Sequence, residues 1–154
     1  HPREGVLTAP EEPLDGDEPR DGRGSPRRER AVETGTARLY RADGSAWRFA
    51  PGRGGIVALE CLPDGDVLVM ERDFSTLTLH WIVTLRRLRL PAGTPADTLL
   101  ADESVAILDG GQDLNTDNFE GLARHHGNRF FMVSDDNDVF VQRTLLVYFE
   151  LLDR

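Results

Sequence analysis

Apolar and polar positions alternate in short runs along most of this chain, and turn-forming residues separate the runs. Ala37-Arg38-Leu39-Tyr40-Arg41 alternates, Trp47-Arg48-Phe49 does the same, and Asp43-Gly44 lies between them. Ile56 to Leu62 is an apolar run of strand length, Pro63-Asp64-Gly65-Asp66 is a turn signal, and Val67-Leu68-Val69-Met70-Glu71 follows. That order reads as a β-hairpin. Trp81 to Leu90 starts with β-branched and aromatic residues, continues with Leu alternating with Arg, and stops at Pro91-Ala92-Gly93-Thr94-Pro95. Ser104 to Leu108, Phe119 to Ala123, Phe130 to Ser134 and Leu145 to Leu151 complete the expected strands, with His126-Gly127-Asn128 turning a second hairpin. Nowhere do apolar residues keep a helical period for three turns, so few or no helices are expected.

The two hairpins align on each other. Glu60, a turn, Val67 to Met70 and then Glu71-Arg72-Asp73 match Glu120, a turn, Phe130 to Val133 and then Ser134-Asp135-Asp136. On this alignment Glu60 and Glu120 are equivalent. Antiparallel units repeating about 60 residues apart are the pattern of propeller blades. The expected fold is all-β: a partial β-propeller of two to three antiparallel blades. Residues 1–35 read as a short strand at Gly5-Val6-Leu7, then a long polar loop from Thr8 to Gly35, in the same domain as the blades of 36–154.

Charge sharpens this picture. The chain has 154 residues and a formal net charge of -9, and Asp97 to Asp138 alone holds ten acids against Arg124 and Arg129. Such a field repels nucleic acid and attracts cations, although acidic loops also simply keep a β-protein soluble. No apolar run nears the roughly 18–20 residues of a membrane helix, so no membrane span is expected. Cys61 is the single cysteine and has no internal disulfide partner. Every basic residue is Arg, which reads as composition bias.

Several segments, in order, resemble the phytase-like family, the "esterase-like activity of phytase" group of bacterial β-propellers. Glu12-Pro13-Leu14-Asp15-Gly16-Asp17 resembles an acidic loop of that family, and Leu62 to Phe74 resembles its hairpin ending in Glu-Arg. The specific segments are Asp117-Asn118-Phe119-Glu120-Gly121-Leu122-Ala123 and Ser134-Asp135-Asp136-Asn137, followed by Gln142-Arg143-Thr144-Leu145-Leu146. The resemblance runs from residue 5 to residue 152, with Phe74 to His80 poorly matched. Family domains are about twice this length, so the chain resembles the C-terminal half of such a ring. The resemblance implies a phosphate-ester hydrolase exported from a bacterial cytoplasm, secreted or periplasmic.

Inner-strand ends of a propeller converge on one mouth, and this directs attention to particular side chains. Asp117, Glu120, Asp135 and Asp136 are the expected Ca²⁺ ligands, because hard cations take six to eight oxygens. Glu120, Arg72 and Arg143 are the expected catalytic residues; Arg forks suit phosphate oxygens, though an Arg–carboxylate tie between blades explains them equally. Glu71, Asn118, Asn137 and Gln142 are the expected substrate contacts. An EF-hand reading of Asp113-Leu114-Asn115-Thr116-Asp117 fails at Asn118, where Gly is required, and at Arg124, where Glu is required. Histidines and Cys61 are too scattered for zinc, and His125 and His126 read as exposed turn residues. Ser134 lacks a nucleophile elbow. The expected partners are a small phosphate ester or other ester and the remaining blades of the ring. Two further readings stand beside the metal-assisted phosphate-ester hydrolase: a non-catalytic propeller binding a ligand or partner protein, and a calcium-dependent lactonase or esterase.

Overall fold

The computed structural model describes residues 1–11, 36–50, 52–75, 77, 80–112, 116–136 and 143–152. Among these residues every regular element is a strand, and the strands run β1 Leu7–Thr8, β2 Ala37–Arg41, β3 Ala46–Phe49, β4 Gly55–Cys61, β5 Val67–Ser75, β6 His80–Leu88, β7 Asp102–Asp109, β8 Phe119–His126, β9 Arg129–Ser134 and β10 Leu146–Glu150. They form three antiparallel sheets, ordered β1-β2-β3, β4-β5-β6-β7 and β8-β9-β10. The fold is therefore all-β, with three sheets arranged as blades of a partial propeller. The expected polar loop lies outside the described residues from Glu12 to Gly35, and Thr8, expected to open it, pairs with Tyr40.

Strand alternation explains how the blades stack. Successive side chains on a strand point to opposite faces. On β5, Val67 and Val69 pack with Ala37, Leu39, Trp47 and Phe49 of the first sheet, while Leu68 and Met70 pack with Phe119, Phe130 and Met132 of the third. The central sheet is thus apolar on both faces, which is why Val67 to Met70 is an uninterrupted apolar run. The first strands of the second and third sheets, β4 and β8, lie side by side, as innermost strands of neighbouring blades do.

Two loops lace the stack. Thr98 and Leu100, between β6 and β7, return to the first sheet: the Arg48 N–H donates to Thr98 O at 2.9 Å and the Leu100 N–H to Arg48 O at 2.7 Å. Asp97 takes a left-handed φ of 62° there and meets the Arg38 and Arg48 guanidinium groups at 3.5 and 3.1 Å. At the β4–β5 turn, Asp66 is nearly buried; its carboxylate accepts from the Leu90 N–H at 2.9 Å, Arg87 Nε at 2.8 Å and Arg89 Nη1 at 3.1 Å. Gly121 marks a close approach inside the third blade, since a Cβ added there would sit 2.5 Å from Val133 Cγ1 on the paired strand. The outer face of that blade leaves Leu146 70% and Tyr148 48% exposed, with Tyr148 against Phe131 at a ring separation of 4.7 Å.

Leu68→Ala, at a fully buried site between the second and third blades, is expected to cost about 2–5 kcal/mol. Leu146→Ala on the exposed face is expected to stay within about 0.5 kcal/mol. Urea midpoints of the two variants check both values, and equal losses would contradict the assigned stacking face.

Candidate functional site

Where the apolar part of β5 ends, the strand continues as Arg72, Asp73, Phe74 and Ser75, still paired with β6 as far as Ser75↔His80. Arg72 points to the third-blade side, in step with Leu68 and Met70. There its Nη1 donates to Asn118 Oδ1 and, at 2.5 Å, to Glu120 Oε1. Its Nη2 reaches Glu11 Oε1 at 3.3 Å, and its guanidinium lies 5.2 Å from the Trp81 ring centre. Asn118 closes the triangle by donating Nδ2 to Glu120 Oε1 at 2.8 Å. Arg72, Asn118 and Glu120 are thus brought together, with Glu120 43% exposed at the rim. The geometry is an Arg–carboxylate tie between blades that also opens to solvent.

Asp117 and Arg143 form a second group beside it. The Asp117 carboxylate accepts from the Asn118 N–H on Oδ1 and from the Arg143 N–H on Oδ2, each at 2.9 Å, and Arg143 Nε lies 3.8 Å away. Ser134 holds the same loop: its hydroxyl donates to Arg143 O at 2.6 Å and accepts from the Leu145 N–H at 2.8 Å. The Asp135 N–H donates to Asn118 O at 3.0 Å. Asp117 is buried and both of its oxygens are engaged by the backbone, and Glu120 Oε1 is engaged by Arg72 and Asn118. Among the described residues no three His, Cys, Asp or Glu side chains gather as a metal-ligand set. Of the expected Ca²⁺ ligands Asp117, Glu120, Asp135 and Asp136, the first two thus already hold protein partners. Asn137 and Gln142, expected at the substrate, lie outside the described residues.

Two expectations need correction. Glu71 does not join the mouth: it points to the first-blade side of β5, is 2% exposed, and accepts from the Gly52 N–H at 3.0 Å and Arg86 Nη1 at 2.8 Å. Strand alternation sends neighbours 71 and 72 to opposite faces. Glu60 is also not the counterpart of Glu120. Glu60 pairs with Leu68 near its turn and accepts from the Arg124 N–H at 2.9 Å, whereas Glu120 sits at the far end of β8, where Phe119 pairs with Ser134. Glu11, Phe74 and Trp81 entered no sequence-based site. Trp81 and Phe74 are a cross-strand pair with ring centres 4.7 Å apart, a register visible only once β5 is known to extend past Glu71.

Burial drives the Glu71 carboxyl above its ordinary value of 4.5; Arg86 opposes the rise, and Asp102 adds to it. Its Oε2 is buried without a hydrogen-bond partner, which adds to the cost of the charged form. Burial also pushes Asp66 up, but the Leu90 N–H, Arg87 and Arg89 outweigh it and hold Asp66 below its ordinary 3.8. Linkage gives the two groups opposite signatures. Asp66 stabilises the fold above pH 3.8 and loses this contribution as pH falls through its lower folded value. The Glu71 contribution is complete below pH 4.5 and is lost as pH rises through its higher folded value. Asp66→Asn is thus expected to flatten the acid-side fall in stability, and Glu71→Gln to flatten a fall above pH 4.5. Melting temperatures of both variants between about pH 3 and about pH 7 check the signs.

No curated protein and no solved structure matches the chain. The family model described as "Phytase-like: Esterase-like activity of phytase" matches residues 1–138, which include Arg72, Asn118 and Glu120. Gln142-Arg143-Thr144-Leu145-Leu146, part of the resemblance drawn from the sequence, falls beyond the matched residues. With nearly the whole chain matched, from the first blade into the third, this protein belongs to the phytase-like family.

Proposed function

We propose that the chain is an ester hydrolase acting on phosphate esters, with the Arg72–Asn118–Glu120 cluster as its site. The observation that carries this is the half-exposed Glu120 carboxylate held against a guanidinium at the end of two neighbouring blades. Family membership supports the hydrolase class. In the proposed reaction, substrate inserts between Arg72 and Glu120. Glu120 takes a proton from a water whose oxygen bonds to phosphorus, and the bond to the leaving oxygen breaks. Glu120 then returns the proton to the leaving alkoxide. Arg72 donates to the non-bridging oxygens as their charge grows. Asn118 is a positioning residue, since its amide touches both Arg72 and Glu120. With no gathered ligand set for an ion among the described residues, no step is assigned to a metal.

One observation favours the non-catalytic reading. The Arg72 guanidinium already has acceptors in Glu11, Asn118 and Glu120, as a purely structural tie would. The expectation of further blades gains support from the exposed Leu146 and Tyr148 face of the third sheet, which resembles the faces buried between the sheets of this chain.

Glu120→Gln is expected to lower kcat on an activated phosphate ester by about 10²–10⁴-fold with KM little changed. The melting temperature measured alongside separates a lost reaction from a lost tie. Full activity in Glu120→Gln would sink the proposal. A wild-type rate abolished by chelator and restored by Ca²⁺ would overturn its metal-free form. A lactone in the same panel tests the lactonase alternative.

A further inference from the structure

Resting on that hydrolase reading, we infer that the site takes an ester of an aromatic or alkyl alcohol bearing a single anionic group, not a polyphosphorylated polyol. The β5–β6 hairpin extends beyond the buried core, and its last pairs carry Arg72, then Phe74 opposite Trp81, on the face that Arg72 shares with Met70. Phe74 is 39% exposed, and its ring lies 4.7 Å from that of Trp81. Trp81 is fixed from behind, its carbonyl accepting from the Gly110 N–H at 3.0 Å and the Thr116 hydroxyl at 2.9 Å. An apolar wall therefore stands directly beside the guanidinium that would hold the reacting group. Aromatic rings fixed in this way bind a flat or alkyl leaving group at little entropic cost.

Charge points the same way. Arg72 is already held by Glu11 and Glu120, and Arg143 lies against Asp117. A polyphosphate needs several cations converging on it, whereas among the described residues both guanidiniums here, Arg72 and Arg143, lie against carboxylates, and repulsion grows with each added phosphate. One phosphoryl group on an apolar alcohol satisfies both Arg72 and the Phe74–Trp81 wall.

The test compares 1-naphthyl phosphate, glycerol 2-phosphate and inositol hexakisphosphate as substrates of the chain and of Phe74→Ser. The expected order of kcat/KM is naphthyl first and hexakisphosphate last. Phe74→Ser is expected to raise KM for naphthyl phosphate by about three- to tenfold and KM for glycerol 2-phosphate by clearly less. A preference for the hexakisphosphate, or an equal effect of Phe74→Ser on all substrates, overturns the inference and leaves the hydrolase proposal standing. If no ester is turned over, the hydrolase proposal fails and binding decides this one. Trp47 is buried and Trp81 stands at the mouth, so naphthyl phosphate is expected to quench the Trp81 emission, and the quench is expected to weaken in Phe74→Ser and vanish in Trp81→Phe. No quench in the wild-type chain overturns the inference.

Discussion

A single guanidinium joins what three separate stretches of chain bring together. Arg72 rises from the central sheet, reaches Asn118 and Glu120 at the start of β8, touches Glu11 near the amino terminus, and rests beside Trp81 on the neighbouring strand. A positive group flanked by carboxylates and partly withdrawn from water gains more from each contact than a fully exposed pair does, because less solvent screens it. The relative placement of the second and third blades at this end, and hence the geometry of the proposed site, depends on that one side chain. The apolar packing of Leu68 and Met70 against Phe119, Phe130 and Met132 supplies the bulk of the attraction. It is non-directional, and the guanidinium adds the directional constraint.

Arginine serves the same purpose elsewhere in the molecule. Arg86 bridges Glu71 and Asp102, Arg87 bridges Asp64 and Asp66, and Arg89 bridges Asp66 and Glu103. The Leu–Arg alternation late in β6 thus has a mechanical meaning: its arginines gather acids from the β4–β5 turn and from β7. A planar fork with several fixed donors can hold two carboxylates at once, which an ammonium group does less well. A chain whose basic residues are all Arg is suited to such double ties, whatever shaped its composition.

Most of the fold was legible because a strand buried on one or both faces leaves a local trace. Alternation at Ala37–Arg41, the apolar run Val67–Met70 and the Pro63–Asp66 turn each depend on residues close in sequence, and the strands fall where those patterns lie. Arg72, Asn118 and Glu120 were also legible as polar residues at strand ends. What was lost is what pairing decides. Glu71 next to Arg72 looked like part of the same site until the pleat sent it to the other face. Glu60 was equated with Glu120 because the hairpins were aligned by their turns, while β8 carries bulges after Phe119 and after Arg124 that change its count. Glu11 and Trp81 reach Arg72 from 61 and nine positions away, and no local period reports such a contact.

The pleat of β5 has a consequence for anyone redesigning this protein. Two adjacent codons control two separate surfaces: Glu71 meets Gly52 and Arg86 on one side of β5, and Arg72 meets Glu11, Trp81, Asn118 and Glu120 on the other. A library randomising Arg72 would sample the solvent-facing cluster without disturbing the buried acid, and one randomising Glu71 would do the reverse. Tuning of affinity and tuning of durability can proceed as independent searches on neighbouring letters of one strand.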